Sequence, residues 1–196
     1  MSIETFRSIL DRFQCGKANC LTQIALGLTD TTSNPDFWNI LEECRNRGIV
    51  PNLTTHGLDI TPEIAKRLSE LCGAVAVSIV NKDKSYDAVQ MFTNTGMKQI
   101  NIHLTIYKER LEQIYEVIND VNTDSRLASL NAIVLLTYKP KGRNVGRFTN
   151  LSFDEFCSVI DLCDKLKINY GMDSCSCHMY EQWIEKNNRQ ELLQYC

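Results

Sequence analysis

Three groups of side chains in this sequence have the types and spacing to do chemistry. Cys175-Ser176-Cys177-His178 is the densest set of soft donors in the chain. Two thiolates and an imidazole within four residues suit a metal such as zinc, which takes sulfur and nitrogen ligands. Lys139-Pro140-Lys141-Gly142-Arg143 is a basic, turn-rich stretch, and cations so placed can clamp a carboxylate or a phosphate. His56 and His103, the latter beside Asn101, are the third group, because imidazole changes charge near neutral pH. Each group also has a plainer reading: free thiols, a solvated basic turn, and hydrogen-bonded structural histidines.

Composition bounds the classes of function. A net charge of -3 offers no electrostatic footprint for nucleic acid or an anionic membrane. No apolar run reaches membrane-spanning length, and MSIETFRSILDRF has no signal-peptide pattern. The expected compartment is therefore the cytoplasm, where disulfides seldom persist. Nine cysteines is an odd number, so complete internal pairing is impossible, and metal ligation or buried thiols are the readings left open. Cys44, Cys72, Cys157 and Cys163 fall in helical segments and are expected as core filler. With 43% apolar and 23% charged residues, the 196-residue chain fits one globular domain.

The elements that must position these groups alternate between strand and helix. Apolar runs at 22–27, 49–55, 74–80, 98–104 and 131–139, with a weaker one at 167–173, read as buried strands. Between them Phe37, Ile40, Leu41 and Cys44 recur at helical spacing, as do Ile64, Ala65, Leu68 and Cys72. Further helices are expected over 85–97, 108–121 and 153–166, with another over 3–14 and a helical tail to Cys196. Thr61-Pro62 opens one helix as N-cap and first-turn proline, and Ser152 with Glu155 forms a capping box for another. Strands alternating with helices imply a parallel sheet covered on its outer face. Ligands then lie at the carboxyl ends of the strands. Those ends hold Gly27, Asp30, Thr32, Thr55, His56, Ser78, Lys139, Gly142 and Arg143. Asn101 and His103 alternate with Ile100, Ile102 and Leu104, which places them on the opposite face of their strand, a barrel lumen if the sheet curls that far.

The stretch IALGLTDTTSNPDFWNILEECRNRGIVPNLTTHG resembles the second and third β/α units of radical S-adenosylmethionine (SAM) enzymes. GAVAVSI, MKQINIHL, NAIVLLTYKPKGR and YGMDSCS resemble later strands of that family in the same order, so the likeness covers roughly residues 20–178. It points to the branch with extra cysteines for auxiliary clusters. The implied fold is α/β, a partial parallel (β/α) barrel of the TIM-like type, missing its first strand. The implied division is a barrel over 1–173 and the start of a cysteine-containing extension over 174–196.

The resemblance implies a SAM site lined by Gly27, Asp30, Thr32, Thr55, His56, Ser78, Asn101, His103, Lys139, Gly142 and Arg143. It also implies a 4Fe-4S cluster, and an auxiliary iron–sulfur or zinc site at Cys175, Cys177, His178 and Cys196. Two departures qualify it. The CxxxCxxC loop of the family is absent; Cys15 and Cys20 have the wrong spacing and precede the strand at 22–27. The GGEP-type loop is reduced to Gly27-Leu28-Thr29-Asp30. The expectation is therefore a truncated radical SAM-type domain, inactive as this chain, or alternatively a non-catalytic remnant that binds a ligand or a partner. Complete relatives are expected to act on a small molecule or a peptide. The edge left without a first strand is expected to favour self-association.

Overall fold

A computed structural model describes residues 1–15, 18–28 and 30–195 of the chain. The main sheet has six strands in sequence order: β1 (Gln23–Leu28), β2 (Val50–Thr55), β3 (Ala74–Ser78), β4 (Ile100–Ile106), β5 (Ala132–Thr137) and β6 (Tyr170–Met172). Simple sequence order is what right-handed β/α crossovers generate. The sheet stays open, with β1 and β6 at its two ends.

The chain divides into two compact units. The first is Met1–Asn101 with Ser129–Asn131, and the second is Ile102–Ala128 with Ala132–Cys196.

In the first unit, helix α1 (Ile3–Asp11) is capped by the Ser2 hydroxyl, which accepts from Thr5 N. A two-residue antiparallel ladder, Gln14–Cys15 with Ala18–Asn19, follows where the helix was expected to continue to residue 14. Phe6 and Leu10 of α1 pack with Ile40 and Cys44 of α2 (Phe37–Asn46) and with Ile49, and Ile24 and Leu26 of β1 rest against this cluster. The even-numbered side of β1 therefore faces helices.

Helix α3 (Pro62–Leu71) starts as the sequence suggests, with the Thr61 hydroxyl accepting from Ile64 N. Helix α4 (Lys82–Asn94) begins three residues before the expected 85, because the Asn81 side chain accepts from Lys84 N and caps it there. Pro51 sits inside β2 without breaking it, its carbonyl accepting from Gly73 N.

In the second unit, a single 3₁₀ turn (Lys108–Arg110) precedes α5 (Leu111–Thr123). Helix α6 (Phe153–Leu166) carries the full capping box between Ser152 and Glu155. It ends on Lys167 in the left-handed conformation, at φ 56°. Helix α7 (Cys177–Lys186) closes the unit, with Trp183 and Ile184 buried. Cys44, Cys72, Cys157 and Cys163 are buried free thiols, as the helical spacing implies. Cys20, in contrast, is disulfide-bonded, which the expectation of reduced thiols did not allow for.

Candidate functional site

Parallel register decides which side chains share a face. Gly27 pairs with Thr54 and Thr54 with Ala76, while Leu28 pairs with Thr55 and Thr55 with Val77. Register partners in a parallel pair point the same way. Thr55 therefore belongs to the helix side. It is 1% exposed, and its hydroxyl accepts from Gly57 N. The other side carries Gln23, Ala25 and Gly27, then Asn52 and Thr54, then Ala74, Ala76 and Ser78. Apart from Val50, which shares this side as the partner of Gln23, it is a row of small and polar side chains, in which Asn52 Nδ2 donates to Gln23 Oε1 at 2.9 Å. An added Cβ at Gly27 would meet nothing within 4 Å, so the face is open at that point. Thr54 is the residue the sequence reading missed, although the alternation in NLTT separates it from Leu53 and Thr55.

The loop after β1 is organised by two aspartates. Asp30 Oδ1 accepts from Thr32 N (3.0 Å), Thr32 Oγ1 (2.8 Å) and Ser33 N (2.6 Å), and Oδ2 accepts from Ser33 Oγ. Such local bonds are the Asx-turn habit of aspartate. The Ser33 and Thr32 hydroxyls, with the Thr32 amide, pull the Asp30 carboxyl down to about 2.

Asp59 comes from the loop after β2. Its Oδ2 accepts from Thr31 N at 2.7 Å and from Thr31 Oγ1 at 2.9 Å, clasping one strand-end loop to the next. Its Oδ1 is buried without a hydrogen-bond partner among the described residues.

Gly57 makes the return of the chain to Asp59 possible. It sits at φ +75°, and an added Cβ would lie 2.9 Å from Ala88 Cβ and 3.0 Å from Val77 Cγ1. Only glycine fits both the left-handed backbone and that contact. His56 takes part in the same turn, its Nδ1 accepting from Leu58 N at 3.3 Å. Neither Asp59 nor its partner Thr31 stands out in the sequence, since they are 28 residues apart. Ser78, at the end of β3, accepts the Ser85 hydroxyl at its carbonyl.

Asn101 lies at the amino-terminal end of β4, where its Oδ1 accepts from Asn131 Nδ2 at 2.8 Å. That end of the sheet is opposite to the ligand-binding loops. His103 stands mid-strand and half-buried, alternating with buried Ile102 and Leu104. Burial lowers its pKa, which keeps the ring neutral.

In the second unit the basic turn follows β5. Lys139 Nζ lies 2.9 Å from Asp173 Oδ2 as an ion pair. Burial pushes the Asp173 carboxyl up, but Lys139 and the Ser176 hydroxyl, which donates to Oδ1 at 3.0 Å, leave it lowered overall. Fully buried Ser176 also bonds Thr137 Oγ1. The charge of Lys139 is thus already balanced, whereas Gly142 and Arg143 lie in an exposed 3₁₀ turn. The Tyr138 hydroxyl donates to Asn144 O, and Tyr107 stacks on Phe148 at 4.4 Å, fixing the two ends of this loop.

Cys175 and Cys177 flank Ser176 as free thiols, the first exposed and the second half-buried. His178 Nε2 lies 3.3 Å from Gln182 Nε2. Cys196 lies outside the described residues. Among the described residues no three His, Cys, Asp or Glu side chains are grouped as a metal ion would require. No helix among them is long and apolar enough to cross a membrane.

No protein-family model matches the sequence, and no curated protein matches it. Solved structures do match its fold. SuiB of Streptococcus suis bound to precursor peptide SuiA aligns with 83% of this chain at 16% identity and a TM-score of 0.64. SuiB bound to S-adenosylmethionine aligns with 77% at 15% identity and a TM-score of 0.59. Native anSMEcpe with bound AdoMet aligns with 87% at 18% identity and a TM-score of 0.64. The chain covers 40%, 39% and 54% of these three structures. SuiB and anSMEcpe are radical SAM enzymes, and this chain has their fold, as an open six-stranded parallel sheet rather than a closed barrel.

Proposed function

We propose that this chain is a radical SAM-type domain that binds S-adenosylmethionine at the carboxyl ends of β1–β3 without cleaving it. The observation that carries the reading is the row Gly27, Thr54, Ala76 and Ser78. Gly27 leaves its end of that row open to a ligand, on a fold shared with two proteins crystallised with S-adenosylmethionine. Gly27 and Thr54 would hold the ligand through backbone and hydroxyl, with His56 and Ser78 at the margin and the ordered Asp30–Ser33 turn beside them. Arg143 and Gly142 are candidates for anionic groups in the second unit.

The donor set does not fit the 4Fe-4S cluster of the family. The 196 residues contain no CxxxCxxC, and no three thiolates converge among the described residues. A step that reduces SAM is therefore not assigned to these residues. This favours the reading as a non-catalytic, ligand-binding domain.

Equilibrium dialysis with labelled SAM tests the binding, with a Thr54→Val, Ser78→Ala double variant as comparison. Saturable binding that the double variant weakens is the expected result, and no binding to the wild-type chain would sink the proposal. After anaerobic incubation with iron, sulfide and reductant, no 5′-deoxyadenosine should form. Should Cys175, Cys177 and His178 hold a soft metal together with Cys196, metal content would fall in Cys175→Ala and Cys177→Ala but survive Cys44→Ala.

A further inference from the structure

The segment from Lys139 to Arg147 carries four cations and no carboxylate, in a chain whose net charge is -3. Lys139 is balanced by Asp173. Lys141, Arg143 and Arg147 are exposed and have no ion-pair partner among the described residues. Arginine elsewhere is paired within the fold: Arg7, Arg47, Arg67, Arg126 and Arg189 each meet a carboxylate at 3.0 Å or less.

The loop is nevertheless held in shape. Asn144 N donates to Lys141 O at 3.1 Å and Arg147 N to Asn144 O at 3.2 Å, which closes two successive turns. Gly142 and Gly146, at φ 57° and 68°, supply the left-handed backbone those turns need. Beyond the loop, Thr149 is clamped to the turn after β4. Glu109 accepts from Thr149 N at 3.0 Å and from its Oγ1 at 2.8 Å, and Lys108 N donates to Thr149 O at 2.9 Å. Three like charges in such turns repel one another and add nothing to the fold, so their counter-charge comes from outside the chain.

We propose that this loop docks an acidic segment of another polypeptide, its carboxylates pairing with Lys141, Arg143 and Arg147. The proposal does not depend on nucleoside binding; it names the kind of anion that Arg143 and its neighbours take. Two details favour a peptide over other polyanions. Single-stranded nucleic acid stacks its bases on free aromatic faces, and Phe148 is already engaged by Tyr107 at 4.4 Å, Tyr138 at 5.5 Å and the Arg147 guanidinium at 5.3 Å. A membrane surface needs a broad apolar face. Among the described residues of the loop, Val145, 70% exposed, is the one large apolar side chain in solvent, enough for a single apolar residue of a peptide. The planar fork of arginine matches a carboxylate through two parallel hydrogen bonds.

The probe is a fluorescein-labelled peptide of glutamate and serine with a single leucine, titrated into the full chain at low salt and followed by anisotropy. Its counterpart carries glutamine in place of glutamate. The acidic peptide should bind saturably and at least about tenfold more tightly than the counterpart, and added salt should weaken it. The triple variant Lys141→Glu, Arg143→Glu, Arg147→Glu should lose about tenfold or more. All three side chains are exposed, so this variant should melt with the wild type.

Equal affinity for the two peptides, or equal affinity in wild type and triple variant, overturns the proposal. Either result leaves the SAM site standing, because no nucleoside enters the titration. Tighter binding to an oligothymidylate or to phosphatidylserine vesicles than to the peptide also overturns it, in favour of a nucleic acid or a membrane. Should the triple variant melt below the wild type, Lys141→Gln, Arg143→Gln is read in its place, since it leaves Arg147 on Phe148. A loss of about threefold is expected there, and unchanged affinity overturns the proposal equally.

Discussion

The indole N–H of Trp183 donates to Asp161 Oδ1 at 2.7 Å and joins α7 to α6. The ring is 2% exposed and stacks on Tyr180 at 5.6 Å with an interplanar angle of 7°. It is therefore both a packing unit and the polar link of the last helix. Trp183→Phe keeps most of the packing and loses the bond, so it should cost about 1 kcal/mol. Trp183→Ala should cost about 3–5 kcal/mol through the cavity it leaves. Urea midpoints of the two variants check the order, and equal losses would mean that the hydrogen bond, not the ring, holds α7.

His103 sets a pH dependence. Burial lowers its pKa in the fold below the ordinary value of about 6.5. Between the two values the unfolded chain binds more protons than the folded one. Stability is therefore full above about pH 6.5 and falls as the pH drops from there toward the folded pKa. His103→Gln should flatten the change in melting temperature between about pH 7 and pH 5. An unchanged slope would place the titration elsewhere.

Thiol reactivity should sort by burial. Desolvation pushes Cys44 up to about 11 and Cys72 and Cys163 up to about 12, so they hold almost no thiolate at neutral pH. Cys175 is exposed. With a disulfide reagent under native conditions, mass mapping should find Cys175 modified first and Cys44, Cys72 and Cys163 only after unfolding. Early labelling of Cys72 would show that α3 opens locally.

Strand β1 is at an end of the sheet, and Gln23–Leu28 contains no charge or proline to discourage pairing. Its even-numbered side is packed on α1 and α2, but among the described residues its outer hydrogen-bonding edge has no neighbouring strand in the sheet order. Light scattering across micromolar concentrations should show concentration-dependent association. Ala25→Lys, on the exposed side, should reduce it by charge repulsion. A monomer at all concentrations would contradict this.

The sheet was legible because its strands are near-continuous apolar runs whose length and spacing fit β/α units. The helix at 153–166 was legible to the residue because the capping box is a local signal. The start of α4 was not, since Asn81 follows directly on the apolar run SIV and its role shows only through the bond from Lys84 N. Asp59 was hidden for a different reason: nothing local distinguishes it from a solvated loop aspartate. Its partner Thr31 is reached only once β1 and β2 lie side by side. Thr54 and Thr55 are adjacent and chemically identical, so the face of each depends on register, which the packing of Ile24 and Leu26 decides.

The left-handed Lys167 at the end of α6 marks a place where the chain keeps an avoidable strain. A side chain at φ 56° carries roughly 1 kcal/mol of crowding between its Cβ and the following carbonyl. The residue is exposed, and what terminates the helix is its backbone N–H, bonded to Cys163 O and Asp164 O. Glycine or asparagine would keep those bonds and relax the crowding. Laboratory evolution for a hardier chain therefore has a natural first codon, at a residue with no role argued in ligand binding.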